Sequence, residues 1–164
     1  MDDAIARDLI EDHSRRPRFF GALPGATGTA EGINPGCGDR VRVHVRLQAA
    51  AIADIRFDGE GCSISQASAS LMAEAVNGLT VAAAEELHQK FHELLTRPDH
   101  LSPPPADTPD PEADDDLGKL MAFAGVKKFP IRVKCATLCW HTLSAALRSE
   151  GKTVSTESLT DRVD

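Results

Sequence analysis

Residues 40–48, RVRVHVRLQ, alternate charged and apolar side chains without interruption, and no other stretch constrains the fold as tightly. Val41, Val43, Val45 and Leu47 fall on one side, and Arg40, Arg42, His44 and Arg46 on the other. Successive side chains of an extended strand point to opposite faces, so this is a half-buried strand. The segment IADIRFDGEG, residues 52–61, reads as its antiparallel partner with Ile55 and Phe57 inward. GEG ends that strand, and Cys62 follows at once.

Around this hairpin the periodicity turns helical. Residues 2–12 read as a helix with Ile5, Leu9 and Ile10 on one side. SRRPRFFGALPGATG, residues 14–28, is rich in breakers and reads as a loop. From Ser63 a helix carries Ile64, Ala67, Leu71 and Ala75 on one face and closes at Asn77-Gly78. Thr80 is placed to cap a second helix bearing Leu87, Phe91, Leu94 and Leu95. LGKLMAFAG reads as a short helix ended by Gly125. A last helix starts near Pro130, a residue suited to a first turn. It buries a stripe of Val133, Ala136, Trp140, Leu143 and Leu147.

Between the third and fourth of these helices, RPDHLSPPPADTPDPEADDD holds six of the ten prolines and seven acidic residues. That composition reads as an exposed, extended loop over 97–116. Residues 1–150 form one domain in this reading, with a polar, frayed tail over 151–164. A net charge of −7 argues against a nucleic-acid groove or an anionic membrane surface. No apolar run approaches the roughly 20 residues of a membrane span. The acidic, amphipathic start is not a secretory signal, so a cytoplasmic protein is expected. In that compartment cysteines serve as metal ligands or reactive thiols more often than as disulfides.

Cys37 lies in the turn NPGCGD, Cys62 at a strand-to-helix junction, and Cys135 in the first turns of the last helix. The hairpin can bring Cys37 and Cys62 to one end of the sheet, with Asp39 two residues from Cys37. Three thiols and a carboxylate suit zinc, which takes four ligands in a tetrahedron. The flanking glycines let the turn tighten so that both side chains face one ion. Buried cysteines also simply pack, and by spacing alone the two readings stand level. Cys139, one turn after Cys135, reads as a packed thiol because four other donors already fill the tetrahedron. His88 and His92 are an i, i+4 pair of the kind that can bind metal. They flank Leu87 and Phe91, which makes a solvated or half-buried face the simpler reading.

NPGCGD, DGEGCSISQASASLM and KFPIRVKCATLCWHTL, in that order, closely resemble the SufU branch of the IscU/NifU-like iron–sulfur cluster assembly family. The resemblance runs from the first helix to Leu147. It implies an α+β fold, a small antiparallel sheet of about three strands with helices packed around it, like IscU and SufE. It implies zinc on Cys37, Asp39, Cys62 and Cys135, with Cys37 as sulfur acceptor. It also implies two partners, a SufS-type cysteine desulfurase and a downstream iron–sulfur scaffold. Two departures from scaffold members favour the zinc-dependent branch: Lys134, not histidine, precedes Cys135, and the long acidic insertion is present.

Sulfur transfer needs a thiolate, since a thiol is a poor nucleophile. Zinc deprotonates its cysteines but also shares their lone pairs, so the acceptor must leave the metal to react. Cys37, between glycines, is the ligand best able to swing out, and the resemblance implies that a desulfurase histidine replaces it. Arg132, one turn before Cys135, either steadies the emerging thiolate or is a solvated charge. The alternatives are a scaffold building a [2Fe–2S] cluster, with iron in place of zinc on the same four positions, and an interaction domain with structural zinc.

Overall fold

A computed structural model describes residues 1–97, 117–148 and 153–155. The expected hairpin is its centre: β2 (Asp39–Gln48) pairs antiparallel with β3 (Ala51–Glu60). Val41, Val43 and Val45 are buried on the inner face with Ile55 and Phe57, while Arg40 and Arg42 are exposed. The connection is a two-residue turn, Ala49 and Ala50, with φ of 52° and 61°. Such turns match the twist of the strands but ask for positive φ at both positions. Alanine resists that conformation, which is why no turn signal stands in the sequence at these positions.

β1 (Gly28–Asn34) pairs antiparallel with β2, from Gly28 opposite Val45 to Asn34 opposite Asp39. The sequence pattern marks no strand over these residues because GTAEGIN carries two glycines, which normally weaken one. Their role is close approach. A Cβ on Gly28 would lie 2.2 Å from the backbone oxygen of Ala146, and one on Gly32 would lie 2.0 Å from Thr142 Oγ1. The last helix, α4 (Pro130–Leu147), therefore lies against β1 through two bare patches four residues apart on each element. The two run in opposite directions, which brings the start of α4 to the end of β1.

Helices cover the remaining apolar surface. α1 (Asp3–Arg15) starts at Asp2, whose carboxylate accepts from Ala4 N. Leu9 and Ile10 lie against the core, but Ile5 is 59% exposed and does not share their role. His13 is buried instead, its Nδ1 2.7 Å from Ser70 Oγ. α2 (Ser63–Val76) ends at Asn77, with Gly78 at φ 86°. α3 (Val81–Thr96) is capped by Thr80, whose hydroxyl accepts from Ala83 N. A 3₁₀ helix (Gly118–Lys128) runs three residues past the expected stop at Gly125. α4 was expected to bury a stripe, yet from Cys135 to Leu147 every residue but His141 is buried. It is enclosed by β1, β2, α2, α3 and the 3₁₀ helix. Trp140 sits at its centre, stacked on Phe91 at 5.2 Å.

The expected α+β architecture is thus observed. Thr153–Ser155, expected to fray, instead forms β4 and pairs in parallel with Glu31–Ile33, so the described sheet has the order β3-β2-β1-β4. A polar segment can still satisfy a sheet edge through its backbone alone. The acidic proline-rich loop lies, apart from Arg97, outside the described residues. Among the described residues no helix is long and apolar enough to cross a membrane.

Candidate metal centre

The centre is built at one end of the sheet, where β1 turns into β2. Asn34 and Asp39 face each other as the last register pair, and Pro35 to Gly38 make the connection. Cys37 N donates to Asn34 O at 3.2 Å. Gly38 has φ 71°, a conformation glycine adopts without strain. The turn leaves Cys37 half-buried, while Asp39, at the start of β2, is 2% exposed.

Asp39 links two segments. One carboxylate oxygen accepts Cys62 N at 2.9 Å, and the other accepts Asn34 Nδ2 at 3.2 Å. Gly61 makes this approach possible, because a Cβ there would lie 2.6 Å from Asp39 Oδ1. Cys62 is the N-cap of α2, its Sγ accepting from Ser65 N at 3.5 Å. A thiol in that position meets the positive end of the helix dipole, which favours the thiolate.

Cys135 comes down from α4. It is fully buried, with Sγ 3.4 Å from Cys37 Sγ and 3.5 Å from Asn34 Nδ2. Its S–H also reaches Ile131 O at 3.6 Å. Hydrogen bonding to Cys62 first, then burial and the bonds to Asp39 and Cys37, push the Cys135 thiol well up. The same bond to Cys135, helped by Ser65 N and opposed by burial, draws the Cys62 thiol down to about 6.

One ligand atom each from Cys37, Asp39 and Cys135 lie within 4.8 Å of one another. Cys62 stands outside that tightest trio, although its N–H bonds Asp39. Sulfurs about 2.3 Å from a tetrahedral zinc stand about 3.8 Å apart, close to the observed Cys37–Cys135 separation. The donor chemistry and spacing fit a zinc ion. Asn34 was not anticipated as part of the site. Its only signal was its position opposite Asp39 across the turn, from which one amide serves both a carboxylate and a thiol.

The other singled-out residues stand apart. Cys139 is 1% exposed and bonds Ser68 Oγ at 3.4 Å, and burial pushes its thiol up to about 12. Arg132 is exposed, lining a groove with Ile64, Met121 and Phe129 rather than reaching the trio. His88 and His92 are half-buried against α4 and meet His141 there. Burial above all draws His88 down to about 3 and His141 down to about 4, with neighbouring histidines adding to the effect.

Comparison with known proteins agrees with this fold. Residues 5–136 match the family model described as NifU-like N terminal domain. The chain is 37% identical over 150 residues to the zinc-dependent sulfurtransferase SufU of Bacillus subtilis (strain 168), covering 90% of this chain and 92% of that one. It is 35% identical over 154 residues to the iron–sulfur cluster assembly scaffold protein IscU of Streptococcus pyogenes serotype M1, covering 94% and 87%. A crystal structure of a nitrogen-fixing NifU-like protein (N-terminal) from Brucella abortus superposes with a TM-score of 0.74 at 20% identity, covering 90% and 94%. That last likeness speaks to the fold alone.

Proposed function

The chain belongs to the NifU-like N-terminal domain family, and on that premise we propose that it is a zinc-dependent sulfur acceptor in iron–sulfur cluster assembly. Cys37, Asp39, Cys62 and Cys135 are the proposed ligands, Cys37 is the proposed acceptor, and a SufS-type cysteine desulfurase is the proposed donor. A downstream iron–sulfur scaffold is the proposed recipient. Bound zinc would supply one thing, thiols held as thiolates at neutral pH.

The observation that carries the reading is the position of Cys37. It is the trio's half-buried donor, on a turn whose next residue is a glycine at positive φ, 3.4 Å from a buried thiol. Rotation at Cys37 and Gly38 moves its sulfur outward without disturbing β2. The Cys37 thiolate attacks the outer sulfur of the donor persulfide. A new S–S bond forms on Cys37, the donor's S–S bond breaks, and the donor cysteine leaves as a thiolate. The exchange is redox-neutral and needs no further reactant. Asp39, held by Asn34 and by Cys62 N, keeps its place throughout. Arg132, exposed near the start of α4 and outside the trio, is proposed only as a cation on the approach path of the donor's anionic sulfur.

The test is mass spectrometry after mixing the protein with a desulfurase and cysteine. One added sulfur atom is expected on the peptide containing Cys37. Cys37→Ser should lose both the adduct and the stimulation of desulfurase turnover, since a hydroxyl is far the weaker nucleophile. An adduct on Cys62 or Cys135, with Cys37→Ser fully active, would overturn the assignment.

A second reading, a [2Fe–2S] scaffold on the same positions, is favoured by the relatives named IscU. Colour separates the two: the zinc protein is colourless and the cluster protein brown.

A further inference from the structure

A second constellation of ligand-type side chains lies in the interface of α3 and α4, and the cysteine–aspartate centre makes no use of it. His88 and His92 stand one turn apart on α3, and His141 faces both from α4. The His141 ring centre is 5.1 Å from that of His88 and 6.0 Å from that of His92, nearly perpendicular to each at 72° and 74°. His88 is further clamped by stacking on Trp140 at 5.7 Å.

The hydrogen bonds fix which nitrogen of each α3 histidine carries its proton. Ser144 Oγ donates its hydrogen to Glu85 Oε2 at 3.3 Å and stands 3.0 Å from His88 Nδ1. With its own hydrogen committed to the carboxylate, the hydroxyl accepts, so His88 Nδ1 carries the N–H. Thr96 repeats the device. Its Oγ1 donates to His92 O at 2.7 Å and stands 3.5 Å from His92 Nδ1. In both neutral rings Nε2 is then the unprotonated nitrogen. A metal-binding histidine is prepared in this way, one ring nitrogen given to an outer partner and the other to the metal. Two such nitrogens at i and i+4 on one helix, with a third imidazole opposite, make a three-nitrogen face.

We infer that His88, His92 and His141 form a second cation site, taking a borderline divalent transition ion such as zinc, nickel or copper(II), with Ser144 and Glu85 as its positioning residues. Imidazole is the donor these ions share. Among the described residues only the cysteine–aspartate trio has its donors within 4.8 Å of one another. The histidine site must therefore close by turning the His141 side chain toward the two α3 rings, and it binds more weakly than the cysteine centre. A purely structural cluster at the helix interface would need none of the proton ordering at His92.

The test uses nickel(II) added to the full chain as purified with its own metal, read by calorimetry and by imidazole proton resonances. One equivalent is expected to bind. Its paramagnetism should broaden the His88, His92 and His141 signals and spare those of His13 and His44, the latter paired with Asp58 on the sheet. His92→Gln and His141→Gln should each lose the equivalent. Ser144→Ala, which removes no donor, should weaken it by about 10–100-fold. His44→Ala should bind as the wild type does. Zinc content should stay unchanged in all four variants, which separates this site from the cysteines. No nickel binding in the wild type, or undiminished binding in the His92→Gln/His141→Gln double variant, would overturn the inference. A nickel–thiolate absorption band without broadening of the three imidazoles would do the same.

Discussion

Gly32→Ala tests whether the close seating of α4 on β1 holds the molecule together. The new Cβ would lie 2.0 Å from Thr142 Oγ1, 3.0 Å from Leu138 Cδ1 and 3.3 Å from Thr142 Cβ. Thr142 is fully buried and its hydroxyl donates to Leu138 O at 2.8 Å, so it has no room to yield without losing that bond. Overpacking of this kind costs about 1–3 kcal/mol, and the lost hydrogen bond about 1 more. Alanine returns about 0.5–1 kcal/mol by restricting the unfolded chain. The net loss is about 1–3 kcal/mol, a fall in Tm of roughly 3–12 °C for a chain of this size. In a Thr142→Ala background the 2.0 Å contact is gone, leaving the flexible tip of Leu138 as the nearest neighbour. There the same substitution should cost less than about 1 kcal/mol. Urea unfolding of the four proteins gives the cycle, with an expected coupling of about 1–2 kcal/mol. Strict additivity, or a Gly32→Ala protein as stable as the parent, would refute the close-approach role of the β1 glycines.

Asn34→Ala removes the amide shared by Asp39 and Cys135. Zinc affinity, measured by chelator competition, should fall by about 10–100-fold while the fold persists. Ala49→Asn with Ala50→Gly relieves positive φ in the β2–β3 turn and should raise stability by about 1 kcal/mol in urea, without effect on metal content. Cys139→Ala should keep its metal and lose about 1 kcal/mol, because that thiol only fills space beside Ser68. His13 gives a pH signature. Burial first, then the Arg18 charge, hold it below its usual 6.5, with Glu74 pulling the other way. The unfolded chain therefore takes up a proton that the folded one resists. Stability present above pH 6.5 should be lost as pH falls below it, by at most about 1.4 kcal/mol per unit. His13→Asn should flatten the dependence of the urea midpoint between pH 7 and 5 by that amount, and an unchanged slope would count against a neutral buried His13.

What could be read from the sequence was what one segment decides by itself. Alternation over 40–48 fixed the face of β2, and Thr80, Asn77-Gly78 and Pro130 marked helix ends through their own backbone preferences. What escaped was decided by a neighbour. Gly28 and Gly32 resemble loop residues until α4 lies on them, and the enclosure of α4 on all sides hides behind its apolar stripe. Ile5 fits a helical face that nothing covers. At the candidate centre, the thiols and the carboxylate announced themselves by chemistry, and the structure gathers Cys37, Asp39 and Cys135 with Cys62 just beyond. Asn34 did not, because an asparagine before a proline reads first as a turn residue. Its second role exists only once Cys135 arrives from 101 positions away.

The two-residue spacing of Cys37 and Asp39 also bears on chain entropy. Cys37 meets Cys135 across a separation of 98 residues. Pinning a loop of about 100 residues removes about 4.7 kcal/mol of freedom from the unfolded chain. A solitary mobile ligand would reopen that loop every time it moved. In the proposed transfer Asp39 stays moored to the amide of Cys62 and to Asn34, whose side chain also holds Cys135, while Cys37 turns. Only one or two residues change conformation, on the order of 1–2 kcal/mol each. In the proposed transfer the carboxylate is the fixed end of a short tether and the thiol its free end, so Cys37 reaches outward while Asn34 still holds Cys135.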